Sequence, residues 1–143
     1  MASTLNPYIN LPGSARDALA FYAGVFGGEP TIMTYGDSGF GAEAGGSPED
    51  AAKVMHGQLE TSAGFTLMVA DAPSSTEAGT VGGNVSVSLS GDDEAELRGY
   101  WDKLSEGATI VEPLTQAPWG DYFGMLDDRF GTSWLVNIAA SAA

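Results

Sequence analysis

The chain contains no cysteine. Disulfides, thiolate zinc sites and cysteine nucleophiles are therefore excluded. Positive charge is almost as scarce. Arg16, Lys53, Arg98, Lys103 and Arg129 are the only basic residues besides one histidine, against nineteen Asp plus Glu, and the formal net charge is -14. The five cations are scattered along the chain. Nucleic-acid binding needs clustered cations to displace condensed counterions, so nucleic acid is excluded as a partner. An anionic membrane surface would be repelled for the same reason, and the acidity reads as a device for solubility. Long apolar runs are also missing. No stretch of 18 apolar residues occurs, and the N-terminus MASTLNPYIN lacks a basic start followed by an apolar core. The expectation is a cytoplasmic protein with neither a membrane span nor a secretion signal.

What is present fits one domain of ordinary size. A chain of 143 residues can bury roughly two thirds of its unfolded surface, enough to fold without staples. Periodicity then divides it. LNPYINL, residues 5–11, alternates as a half-buried strand. Ser14 opens a helix, with Asp17 at capping-box spacing. Ala15, Ala18, Leu19, Tyr22, Val25 and Phe26 form its apolar stripe, and Gly27-Gly28 end it. Pro30 to Tyr35 reads as a strand. Residues 36–51, rich in Gly, Ala and acids, read as a mobile loop. VMHGQLET and FTLMVAD are two strands joined by Ser62-Ala63-Gly64, and residues 71–83 read as a linker.

The pattern then repeats. NVSVSLS alternates, and Asp92 or Asp93 caps a helix with the stripe Leu97, Tyr100, Trp101 and Leu104. ATIVEPLT is a strand. WGDYFGMLDDRFGTSWLVN supplies a last hairpin, with Asp127, Asp128 and Gly131 at the turn and Arg129 at its tip, paired to a nearby acid. Leu11 and Leu89, Leu19 and Leu97, and Tyr22 and Tyr100 each lie 78 residues apart, while the hairpin glycines Gly64 and Gly131 lie 67 apart. The chain therefore holds two strand-helix-strand-strand-strand copies. Neither can cover its own sheet, so the copies must pack together or pair with a second chain. Residues 1–143 are expected to form a single α+β domain of two βαβββ modules, 4–71 and 82–139, with curved mixed sheets. Trp101 and Trp134 are expected in the core.

A tandem βαβββ repeat of this length resembles the vicinal oxygen chelate superfamily of glyoxalases, bleomycin-resistance proteins and extradiol dioxygenases. Within it the chain is similar to the PhnB-like family, through NPYINLPGSARDALAFYAGVFGGE, SPEDAAKVMHGQLE, WGDYFGM and DRFGTSWLVN. That family often has Arg after WGD, where this chain has Tyr122. The resemblance implies half-barrels with a ligand cavity on their concave faces, and commonly a homodimer. In chelating members four side chains hold a metal there. Those positions fall here on Asn6, Met68, Asn84 and Leu135. Asn is a poor neutral ligand, and Met and Leu offer no hard oxygen. The resemblance carried onto these residues implies no metal and no cofactor.

If those four positions face inward, alternation places Tyr8, Asn10, Thr66, Ala70, Ser86, Ser88, Ser133 and Asn137 beside them. This face is neutral and polar, with a few large groups, suited to an uncharged or weakly polar small molecule. His56, Gln58 and Glu60 share one parity on their strand. His56 is a general acid or base, or else a solvated strand histidine. Glu60 is a lone general base if buried, or else a rim carboxylate. Trp119 and Tyr122 either stack on a flat ligand at the cavity mouth or serve packing.

Three functions follow. The first is a metal-free binding protein of sequestration or resistance type, taking a neutral or aromatic ligand. The second is a lyase, isomerase or dioxygenase, metal-dependent or using His56 and Glu60. The third is a non-catalytic interaction module with a closed cavity. A methyltransferase is disfavoured because no glycine-rich nucleotide loop follows a strand.

Overall fold

A computed structural model describes residues 5–38, 50–71 and 85–140. It divides into two compact units, Met1–Gly79 and Thr80–Ala143. The first unit holds β1 (Tyr8–Leu11), α1 (Ala15–Phe26), β2 (Glu29–Thr34), a short α2 (Tyr35–Ser38), a single 3-10 turn (Asp50–Ala52), β3 (Val54–Glu60) and β4 (Thr66–Asp71). The second holds β5 (Val87–Gly91), α3 (Glu94–Leu104), β6 (Thr109–Gln116), β7 (Tyr122–Asp127) and β8 (Ser133–Ile138). The sheet orders are β1-β4-β3-β2 and β5-β8-β7-β6. In each, the first strand runs parallel to the last and the other pairs are antiparallel. The same topology is thus built twice, as the two offsets require.

Each helix lays its apolar stripe on its own sheet. In α1 the buried residues are Ala15, Ala18, Leu19, Tyr22, Val25 and Phe26, the stripe read from periodicity. They cover Leu11, Leu59, Leu67 and Val69, all buried. In α3 Leu97, Trp101 and Leu104 are buried, over a sheet core of Leu89, Leu126, Trp134, Val136 and Ile138. Tyr100 is only half-buried, and its hydroxyl donates to the Glu96 carboxylate at 3.0 Å. Burial and the Glu96 charge push the Tyr100 pKa up.

The two helix starts differ from each other. Asp93 caps α3 by accepting the Glu96 amide at 3.1 Å. At α1, Ser14 makes no side-chain cap bond, so the expected capping box with Asp17 does not form. The acceptor comes instead from the end of β4, the strand beside β1. Asp71 Oδ1 accepts the Gly13 amide at 3.0 Å and the Ala15 amide at 2.9 Å. A buried carboxylate there answers both the orphan amides and the positive end of the helix dipole. Asp71 therefore belongs to β4 and to the core; it does not begin a linker. Residues 72–83, the rest of that expected linker, lie outside the described residues, as do 39–49 of the expected loop.

The hairpin turns repeat too. Thr61 and Asp128 are 67 residues apart. Each amide bonds the carbonyl four residues on, Phe65 and Thr132, and each carbonyl accepts from the turn glycine, Gly64 and Gly131. Both glycines have φ near +90° (91° and 90°), the left-handed region open to glycine at no steric cost. Thr61 Oγ1 accepts the Phe65 amide at 2.9 Å. Asp128 does more: Oδ1 accepts the amides of Phe130 and Thr132, and Oδ2 accepts the Trp134 indole N–H at 2.8 Å. Arg129 reaches Glu106, donating to its carbonyl at 3.2 Å, with the carboxylate 3.8 Å away.

Candidate functional site

In the first unit the face turned away from α1 is set by register. Tyr8 pairs with Met68, Met68 with Gln58, and Gln58 with Thr31. The next row runs from Asn10 to Ala70 on one side and from His56 to Met33 on the other. Tyr8, Asn10, His56, Gln58 and Met68 thus share one face. Tyr8 is 48% exposed and Met33 47% exposed. The Tyr8 and His56 rings approach to 6.0 Å between centroids, tilted by 38°. They come from strands on either side of β4, and Ala70 on that strand has only a methyl to place between them. Thr31 and Met33 also join this face, a placement that rests on their pairing with Gln58 and His56 and not on any pattern within β2.

The position of His56 depends on an irregularity. Met33 pairs with His56 but Thr34 pairs with Val54, so Met55 is an extra residue in β3. Without that bulge, Val54 and His56 would share a face. With it, Val54 is fully buried beside Gly57 under α1, while His56 faces the other way. Bulges commonly re-aim a side chain in this manner.

Glu60 is exposed at the rim and accepts from Gln58 Nε2 at 3.3 Å. It lies directly opposite Glu29. Asn6 lies just before β1, half-buried. Asn84 lies outside the described residues. Ser86 precedes β5 and is exposed, and Val85 beside it is 72% exposed, because the described strand begins only at Val87.

In the second unit Ser88 pairs with Leu135, Leu135 with Met125, Ser90 with Asn137, and Asn137 with Phe123. Phe123 and Met125 thus share the helix-free face with Leu135, and neither was singled out from the sequence. Tyr122 is not on it. Tyr122 pairs with Ile138, which is buried on the α3 side, and the Arg98 guanidinium of α3 sits 4.8 Å from the Tyr122 ring centroid. The expectation that Tyr122 lines the same cavity as Leu135 is corrected: it stacks with a helix cation. Trp119 is 69% exposed in the β6–β7 turn, where the Gly120 amide closes on the Ala117 carbonyl. Asn137 is already engaged, donating to Asp121 Oδ2 at 3.1 Å, while Asp121 Oδ1 accepts the Ala140 amide at 2.9 Å. These two bonds hold the Asp121 pKa below the ordinary carboxylate value.

The donor set fits a catalytic metal poorly. Met68 and Leu135, on the helix-free faces of their sheets, carry no nitrogen or oxygen. Among the described residues no three His, Asp or Glu side chains come together as a metal cluster. No helix among them is long and apolar enough to cross a membrane.

A duplicated βαβββ unit, each copy a curved mixed sheet backed by one helix, defines the class. The chain belongs to the Glyoxalase/Bleomycin resistance protein/Dioxygenase superfamily, whose family model matches residues 7–136. It is similar to protein YjdN of Escherichia coli K12, 27% identical over 142 residues covering 94% of each chain. The structure of PA1353 from Pseudomonas aeruginosa matches with a TM-score of 0.79 and 31% identity, over 98% of this chain and 100% of that one. A PhnB protein from Bacillus cereus shares the fold, with a TM-score of 0.74 and 24% identity over 96% and 100% of the two chains.

Proposed function

We propose that this chain is a metal-free small-molecule-binding protein of sequestration or resistance type, acting in the cytoplasm as a homodimer. Its ligand is a planar, neutral aromatic molecule. The observation that carries this reading is the Tyr8–His56 ring pair, flanked by the thioethers of Met33 and Met68. Aromatic faces and polarizable sulfur suit a flat π-system. Gln58, Asn10 and Thr31 on the same face supply neutral hydrogen-bonding groups for its edges. The poor donor set at Met68 and Leu135 supports binding without a metal.

Thermal-shift screening tests it against two panels, divalent metals and planar aromatic compounds. Ligand at about a hundred times its Kd stabilises by about 2.7 kcal/mol, a shift of several degrees in Tm. The expected result is stabilisation by aromatic compounds and no effect of metals. Stabilisation by Zn, Ni, Fe or Mn at one equivalent per chain would replace this reading with a metal-dependent enzyme. A blank on both panels would leave an interaction module. Sedimentation equilibrium tests the dimer.

A further inference from the structure

We infer that Asp71 is the positioning residue of the Tyr8–His56 face: its bond to the Val54 amide holds the β3 bulge that turns His56 toward Tyr8. The role concerns the site proposed above, and it deepens that reading by naming what shapes the site from the opposite side of the sheet.

Asp71 ends β4 and is 3% exposed. Its two carboxylate oxygens have separate partners. Oδ1 accepts the amides of Gly13 and Ala15 at the start of α1. Oδ2 accepts the Val54 amide at 3.0 Å. Its own carbonyl accepts the Tyr35 hydroxyl at 2.8 Å, and the Tyr35 amide in turn donates to the Lys53 carbonyl at 3.1 Å. Both chain ends that enter and leave the β2–β3 connection are thus tied to one residue. Val54 is the residue whose inward placement makes the bulge necessary. With Val54 held in the core and Gly57 fixed under Leu19, three residues span two like-facing positions, and a regular strand spans only an odd separation on opposite faces. The surplus falls at Met55, and His56 is left opposite Met33 on the Tyr8 side. Releasing the Val54 amide allows β3 to slip into regular alternation, which separates His56 from Tyr8.

The chemistry of Asp71→Asn isolates this bond. An amide has one acceptor oxygen. Facing two donors at α1 and one at Val54, that oxygen stays with Gly13 and Ala15, and the NH2 group meets the Val54 N–H donor to donor. His56 is the only histidine, so its ring resonances are assigned without ambiguity, and the ring separation of 6.0 Å gives a Tyr8–His56 ring NOE. The expected result is loss of that NOE and faster exchange of the Val54 amide in D71N, with the remaining amide dispersion retained. Thr61→Ala, which removes a hydrogen bond at the other end of β3, should change neither. A folded D71N with its NOE intact, or equal loss of the NOE in T61A, would overturn the proposal. If D71N does not fold, replacing the Val54 amide by an ester removes the same donor without altering a side chain, and the same two outcomes decide. None of these measurements uses a ligand. A blank ligand screen with the NOE lost in D71N would end the binding reading and leave the positioning role standing.

Discussion

Gly57 and Gly124 hold the same place in the two copies, 67 residues apart like the hairpin glycines, each in mid-strand beneath the helix of its own unit. A Cβ on Gly57 would stand 2.8 Å from the Val69 carbonyl oxygen and closer still to Leu19 Cδ1. On Gly124 it would meet the Trp101 ring at 2.8 Å and the Leu114 backbone at 2.9 Å. In both copies the helix packs directly on the strand. Glycine is needed at these positions for closeness, and for no special backbone angle.

Gly57→Ala and Gly124→Ala are each expected to destabilise by about 1–3 kcal/mol, the usual cost of overpacking. Leu19 can rotate its terminal methyl, but the neighbouring backbone atoms cannot move without shifting a strand. Urea unfolding followed by circular dichroism checks this. A loss below about 0.5 kcal/mol for both would mean the helices can lift away.

Asp128→Ala is expected to cost about 2–4 kcal/mol, because it strands the buried Trp134 indole N–H as well as two turn amides. Thr61→Ala removes a single acceptor and is expected to cost about 1 kcal/mol. The same unfolding measurement compares the two. Equal losses would show that the indole bond contributes nothing.

Asp121 carries a pH dependence of defined sign. Its folded-state pKa is lowered, first by the Ala140 amide and then by Asn137. Its contribution is therefore present above the unfolded carboxylate pKa and is lost as pH falls through the folded value. Asp121→Asn should flatten the part of the stability profile below the unfolded carboxylate pKa that this group supplies. Titration of the Asp121 carboxyl carbon by NMR gives the direction directly. A midpoint above that of an ordinary Asp would contradict it.

Tyr8 and Tyr122 should part company in binding. Tyr8→Leu removes one ring of the proposed face, and aromatic stacking contributes about 0.5–1.5 kcal/mol. Binding of the strongest aromatic compound from the thermal-shift screen is expected to weaken about two- to tenfold. Tyr122→Leu, on the α3 side with Arg98, should leave that Kd unchanged while costing about 0.5–1 kcal/mol of stability. Titration calorimetry with both variants checks it. The reverse pattern would put the ligand on the helix side.

Much of the architecture was legible in the residues because it is local. Two helix stripes, the hairpin turns at Gly64 and Gly131, and the offsets of 78 and 67 follow from contacts between near neighbours and from repetition. Alternation along β4 and β8 also sorted Leu67, Val69, Trp134 and Val136 from Thr66, Met68 and Leu135, because there the two faces differ in chemistry. It failed at Tyr122. Tyr122, Phe123 and Met125 are all large, so the pattern does not say which set meets the helix, and only the pairing of Tyr122 with Ile138 decides.

The residue types alone determined that this chain builds one βαβββ unit twice and that cysteine chemistry is excluded. Tertiary structure decided where the strands break step and which acid stands behind them. A bulge adds one residue and reverses every face beyond it, and nothing in a period of two marks the spot. Asp71 bonds partners 56 and 58 residues before it and one 17 residues before it, contacts that exist only once the sheet has closed against its helix.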